Sequence, residues 1–189
     1  AGNPYTETGE KFQIPDMLAN RADIYNLGDV IGNTSALFEL SLIENAMTSN
    51  PLLNQLASKM PDDLYPLIEM ATSGNKEGLE LKGNHSKQDI EAYLAVLDKV
   101  IKVRNVVLQA NSAYISSAAM EDSYRTEPPF RLQGSYRDMN KLVGKIVPVM
   151  NDAEIETLLL SHYQNETQTL TSAAEANLLK YKEMTKTLS

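Results

Sequence analysis

Arg137 is the side chain in this sequence whose setting most asks for a ligand. It lies in the run Ser135-Tyr136-Arg137-Asp138, where a serine followed three residues later by an acid forms a capping-box pattern that starts a helix. A cation in that first turn opposes the helix dipole. A bound anion would remove the conflict, because a helix N-terminus and a guanidinium both favour phosphate. The competing reading is an ordinary ion pair from Arg137 to Asp138 or Glu127. Arg131 and Lys141 flank the same element and would add positive charge to an anion pocket without being catalytic.

Other chemistries have less to build on. Asp62-Asp63 and Glu121-Asp122 fall at helix ends and read as caps or solvated charges rather than as a hydrolase dyad. His85 and His162 are isolated in the sequence, so no metal site is expected; His162 is expected to serve a helix terminus, and no elbow motif supports a Ser-His-acid triad. Met47, Met60, Met70 and Met120 read as gap-filling core. The chain has no cysteine, which excludes disulfides, thiolate zinc and thiol catalysis.

Charge confines any phosphate contact to a local pocket. Lys plus Arg number 17 against 25 Asp plus Glu, a net charge of -8 over 189 residues, which argues against a broad nucleic-acid or anionic-membrane surface. With 42% hydrophobic and 22% charged residues the composition is globular. No run approaches the ~20 apolar residues of a membrane helix, and no basic-then-apolar leader is present. A soluble, cytoplasmic protein is expected, and a start at Ala1 without methionine suggests a processed protein or a piece of a larger one.

The elements that would position these residues change character near residue 33. Before it, Asn3-Pro4, Gly9, Pro15, Gly28 and Gly32 punctuate a sparse apolar pattern, and Ala22 to Leu27 is the best strand. After it, Ala36, Leu40, Ile43 and Met47 mark one face of a helix capped by Thr34 or Ser35. Pro51 and Pro61 open short helices over Leu52 to Lys59 and Asp62 to Thr72, and Gly74 to His85 reads as a loop or short hairpin. A long helix from Lys87 to Glu121 carries Ile90, Leu94, Leu97, Ile101, Leu108, Ile115 and Ala118 on one stripe, with Tyr93, Val100, Val107 and Tyr114 beside it and Arg104 and Asn111 interrupting. Pro128-Pro129 stops the helical pattern. Further helices begin at Ser135 and at Asn151, the latter running to Tyr163, and Leu170 to Thr187 holds a last one.

Two sets of motifs carry a family resemblance. Asn3-Pro4, Glu7, Gly9, Ile14-Pro15-Asp16 and Leu18-Ala19-Asn20-Arg21 resemble, in order and spacing, the stretch of MoxR-like AAA+ ATPases from the sensor 1 strand to the arginine-finger region. Asn20 stands where that pattern has Asp, and Ala22 where it has an aromatic residue. Ser135-Tyr136-Arg137-Asp138, with Leu142 beyond, is similar to the start of the lid helix that carries the sensor 2 arginine. The runs IPDMLANRADIYNLGD, SLIENAMTSNP and EPPFRLQGSYRDMNKL together resemble the end of a bacterial AAA+ family of DNA-repair ATPases, over nearly the whole chain.

The resemblance implies a mainly α fold: residues 1–33 ending an AAA+ α/β core, and residues 34–189 forming a helical lid with one long helix. It implies that Asn3 orients the attacking water, that Arg21 reaches into the neighbouring subunit's site, and that Arg137 contacts nucleotide within its own subunit. Phosphoryl transfer suits these types, since the protein supplies mainly position and field, and a guanidinium grips phosphate oxygens bidentately. The plainer alternatives are that Asn3 caps a turn ahead of Pro4 and that Arg21 pairs with Asp16 or Asp23. ATP and Mg²⁺ belong to the intact parent, none being expected on this fragment, which has no GxxxxGKS or GxxxxGKT loop and no apolar strand ending in paired acids. The implied partners are neighbouring subunits of a homo-oligomeric ring and a protein or nucleic-acid substrate, with no membrane. The alternative function is a non-enzymatic, all-helical protein-interaction module presenting a face of the long helix.

Overall fold

The computed structural model describes residues 30–75, 80–170 and 172–186, with side chains from Thr34 onward. Asn3, Arg21 and the Ala22 to Leu27 strand lie outside these. Among the described residues there are seven helices and no strand: α1 (Val30–Met47), α2 (Pro51–Lys59), α3 (Leu64–Ser73), α4 (Lys87–Ala119), α5 (Tyr136–Val143), α6 (Asp152–Thr167) and α7 (Ala174–Lys186). Single 3₁₀ turns cover Pro61–Asp63 and Asp122–Tyr124.

The spine is α4, whose 33 residues span about 50 Å at 1.5 Å per residue. Ser86 starts it through a capping box, accepting from the Asp89 amide while the Asp89 carboxylate accepts from the Ser86 amide, both at 3.1 Å. Each of the other six helices packs on it. The buried face centres on Tyr93, Val96, Leu97, Val100, Val103, Val107, Ala110 and Tyr114. That alternating three- and four-residue spacing is the seam of a helix enclosed by neighbours. Ile90, Ile101, Leu108 and Ile115, expected at the centre of the stripe, are its half-buried margin. Arg104 interrupts the seam to meet Glu39 of α1 at 3.4 Å and Asn105 at 2.9 Å.

Several boundaries differ from the sequence expectation. Thr34 and Ser35 lie inside α1, which begins at Val30, rather than capping it. Pro61 opens a 3₁₀ turn before α3, because Asp63 turns inward, only 1% exposed, instead of capping. Its carboxylate accepts from the Lys82 amide (2.6 Å), the Gly83 amide (2.8 Å) and His85 Nε2 (2.7 Å), and so pins the loop to the α3 entrance. Met47 and Met70 are buried and Met60 packs half-buried, but Met120 is 46% exposed past the end of α4.

α5 is placed by what precedes and follows it. After Pro129 comes a stretch outside any helix with Phe130, Leu132 and Gly134 buried and the residues between them half-buried, a period-two pattern without a pairing strand among the described residues. Polar side chains from the helices hold this strap. Ser117 Oγ accepts from the Phe130 amide at 2.8 Å, and Asn177 Oδ1 accepts from the Arg131 amide at 2.6 Å while its Nδ2 donates to the Pro129 carbonyl at 3.1 Å. At the far end of α5, buried Asn50 caps α2 with Oδ1 and donates Nδ2 to the Val143 and Ile146 carbonyls at 3.0 and 2.9 Å.

Candidate functional site

The Ser135 capping box forms as expected. Ser135 Oγ accepts from the Asp138 amide at 3.3 Å, and Asp138 Oδ2 accepts from the Ser135 amide at 2.9 Å and from its hydroxyl. Between them, Arg137 is exposed in the first turn of α5. Neither expected ionic partner reaches it. Glu127 Oε2 accepts from Lys180 Nζ at 2.9 Å, and Asp138, 1% exposed, is turned inward. Among the described residues no ion pair involves Arg137. Its flanking cations are also committed elsewhere: Lys141 Nζ lies 3.2 Å from Glu166 Oε1, and Arg131 donates to Ser172 Oγ at 3.2 Å.

Tyr136, beside Arg137, fixes the orientation of this helix start against α1. Its ring meets Phe38 edge-on at 6.0 Å, and its hydroxyl lies 2.8 Å from Ser41 Oγ. With Asn50, just past α1, bonded to the other end of α5, the two helices run in the same direction.

On its inner side the same turn meets α6. His162 Nε2 lies 3.2 Å from Asp138 Oδ1, and Glu166, one turn further along α6, brings a carboxylate oxygen to the same place, so that one ligand-type atom from each residue lies within 4.8 Å of the others. Burial would raise the Asp138 carboxyl, but donors from His162 and Ser135 outweigh it and hold the group below the usual carboxylate range. Tyr163 is fully buried, its ring edge-on to His162 at 5.1 Å and tilted on Tyr181 at 4.4 Å. Among the described residues its hydroxyl has no hydrogen-bond partner, and burial, reinforced by the Asp138 charge and then by Tyr181 and Glu166, pushes its pKa well up.

His162 thus sits inside α6, which runs on to Thr167, and serves a buried polar cluster rather than a helix terminus. The expectation that the histidines are isolated is overturned for both, since His85 meets Asp63 and His162 meets Asp138 with Glu166 close by. The one available sign was the four-residue spacing of His162 and Glu166, which puts both on one helix face; the approach of Asp138 depends on how α5 packs against α6.

A separate cleft of about 570 Å³ lies between α4, α6 and α7, with Val106, Ile155, Leu159 and Tyr181 at its base and Lys102 and Lys182 at its rim. Lys102 is bonded across it to Asp152. Among the described residues no helix is long and apolar enough to cross a membrane. Comparisons with protein-family models, with curated proteins and with solved structures each gave no match.

Proposed function

We propose that this chain is the C-terminal part of an oligomeric, MoxR-like AAA+ ATPase that couples ATP binding and hydrolysis to remodelling of a macromolecular partner, with DNA repair as the setting. The helices from α1 onward form its lid, and the nucleotide core lies upstream. The observation that supports this reading is Arg137: an exposed guanidinium in a helix's first turn, opposed by the dipole, unpaired among the described residues although Glu127 and Asp138 are near in sequence. A nucleotide phosphate at this turn would satisfy both the cation and the helix terminus. Asn3 would orient the water and Arg21 would act in the neighbouring subunit's site, ATP and Mg²⁺ being held mainly by the core.

The direct experiment is to read the coding frame that runs into Ala1. A phosphate-binding loop and a strand ending in paired acids upstream support the proposal, and an upstream frame holding neither overturns it. The cleft along α4 favours a second reading, a non-enzymatic interaction module that takes a protein segment between α4, α6 and α7. Under either reading the isolated chain turns over no ATP, because the backbone cradle for the phosphates is missing from it.

A further inference from the structure

We infer that Asp138, His162 and Glu166 form a binding site for one divalent transition-metal ion of the Zn²⁺ class, bridging α5 to α6. This site is independent of the proposed ATPase role and uses the inner face of the turn whose outer face carries Arg137.

Geometry is the first support. Ligand atoms at about 2.1 Å from a zinc ion lie about 3.0 to 3.4 Å apart across octahedral or tetrahedral angles, and His162 Nε2 and Asp138 Oδ1 are 3.2 Å apart. One nitrogen and two carboxylate oxygens within 4.8 Å can close on one ion with small side-chain rotations.

Orientation is the second. The Asp138 carboxylate is already fixed through Oδ2 by the amide and hydroxyl of Ser135, which leaves Oδ1 aimed at His162. Outer hydrogen bonds of this kind hold metal-ligating carboxylates in place. Glu166 is the mouth of the site, its side chain 25% exposed and paired with Lys141, a half-exposed amine that solvent receives when the carboxylate turns to an ion.

The independent sign of a missing ligand is Tyr163. Its hydroxyl is fully buried and makes no hydrogen bond among the described residues, and its ring lies edge-on to His162 at 5.1 Å. A buried hydroxyl without a partner needs a reason. A metal-bound water would give it one, as acceptor or donor. Charge also balances, since two carboxylates neutralise one divalent ion while His162 binds as the neutral imidazole. An imidazole with two carboxylates suits borderline ions such as Zn²⁺ or Mn²⁺ better than Mg²⁺ or Ca²⁺, which take oxygen alone, and among them Zn²⁺ binds most tightly.

The test is calorimetric titration of the whole chain, stripped with chelator, with ZnCl₂. One ion per chain is expected to bind and to raise the melting temperature. Glu166→Gln, at the half-open mouth, should fold as the parent does in chelator yet weaken binding by at least about tenfold, and His162→Gln should weaken it further. Cobalt bound in place of zinc should show visible absorption of a nitrogen-and-oxygen site that His162→Gln removes. His85→Gln, at the half-buried histidine beside Asp63, should leave binding unchanged. No binding up to about 1 mM Zn²⁺, or binding that survives both Glu166→Gln and His162→Gln, overturns the inference.

Discussion

Replacing Gly134 by alanine tests how the candidate site is positioned, because Gly134 is the last residue of the strap before the Ser135 cap. A Cβ built there lies 1.8 Å from the Val107 carbonyl oxygen, 2.7 Å from the Asn111 nitrogen and 2.9 Å from the Val107 carbonyl carbon. All three are backbone atoms in the middle of α4, so no side chain can rotate away. Restoring an ordinary contact requires strap and helix to separate by roughly 1.5 Å, in a core packed as densely as a crystal. Buried Leu132 and Phe130 and the α5 cap would move with it. Overpacking in a well-filled core costs typically 1–3 kcal/mol, and with rigid backbone on both sides about 3 kcal/mol or more is expected. For a chain of this size that corresponds to roughly 6–12 °C in melting temperature. Two other glycines calibrate the assay. Gly74 has φ +69° at the end of α3 with nothing within 4 Å, so alanine there costs about 1 kcal/mol from the left-handed backbone alone. Gly144 would meet the Ser49 and Asn140 oxygens at 3.2 and 3.3 Å, and its substitution should stay within about 0.5 kcal/mol. Thermal denaturation followed by circular dichroism decides the matter. A Gly134→Ala melt within about 2 °C of the parent, or one milder than Gly74→Ala, would refute the close approach of the strap to α4.

Three further outcomes follow from the same packing. Leu97→Asp puts a charge at a fully buried position of α4 and should cost on the order of 4 kcal/mol by urea denaturation, while Ile101→Asp, on the half-buried margin, should cost less than half as much. Asp63 and Asp138 are each held below the usual carboxylate range, burial being outweighed by donors from Lys82, His85 and Gly83 in one case and from His162 and Ser135 in the other. Depressed carboxyls stabilise the fold above their unfolded pKa of about 3.9 and lose that contribution as pH falls through their folded values; the melting temperature should therefore drop below about pH 4, with a slope of at most about 1.4 kcal/mol per pH unit from each group. Asp138→Asn should flatten that acid slope, and an unchanged slope would show that the carboxylate is not held by His162 and Ser135. Arg137→Ala should melt at or slightly above the parent, because it removes a cation from a helix N-terminus and breaks no ion pair seen among the described residues; a clear loss of stability would show that Arg137 has a structural partner.

Helix starts were the most legible feature of the sequence where a side chain announces them. Ser135 with Asp138 and Asn151 with Glu154 each form the capping box that their spacing predicts, and the same device at Ser86 and Asp89 went unread. The start of α1 was not legible, since Thr34 and Ser35 look like caps but sit within the helix. The strap of residues 130–134 was missed for a different reason. Its hydrogen bonds go to Ser117 and Asn177, 13 and 46 residues away, and no local period reports such partners. The exposure of Arg137 was legible from the conflict between its charge and its helix. What it lacks was not, because that depended on Lys180 claiming Glu127 and on His162 drawing Asp138 inward.

The central claim is the proposal that Arg137 grips nucleotide phosphate, and ATP turnover by the proposed longer parent protein carrying Arg137→Ala tests it most directly. The account predicts a loss of turnover of at least about tenfold together with weaker nucleotide binding, since a lid contact to phosphates acts in the ground state as well as the transition state. Arg21→Ala in the same assay should cost on the order of 10³ in rate with nucleotide affinity retained. Turnover in the Arg137→Ala parent within tenfold of the unmodified protein, with nucleotide bound as tightly, would contradict the account and leave Arg137 a surface arginine.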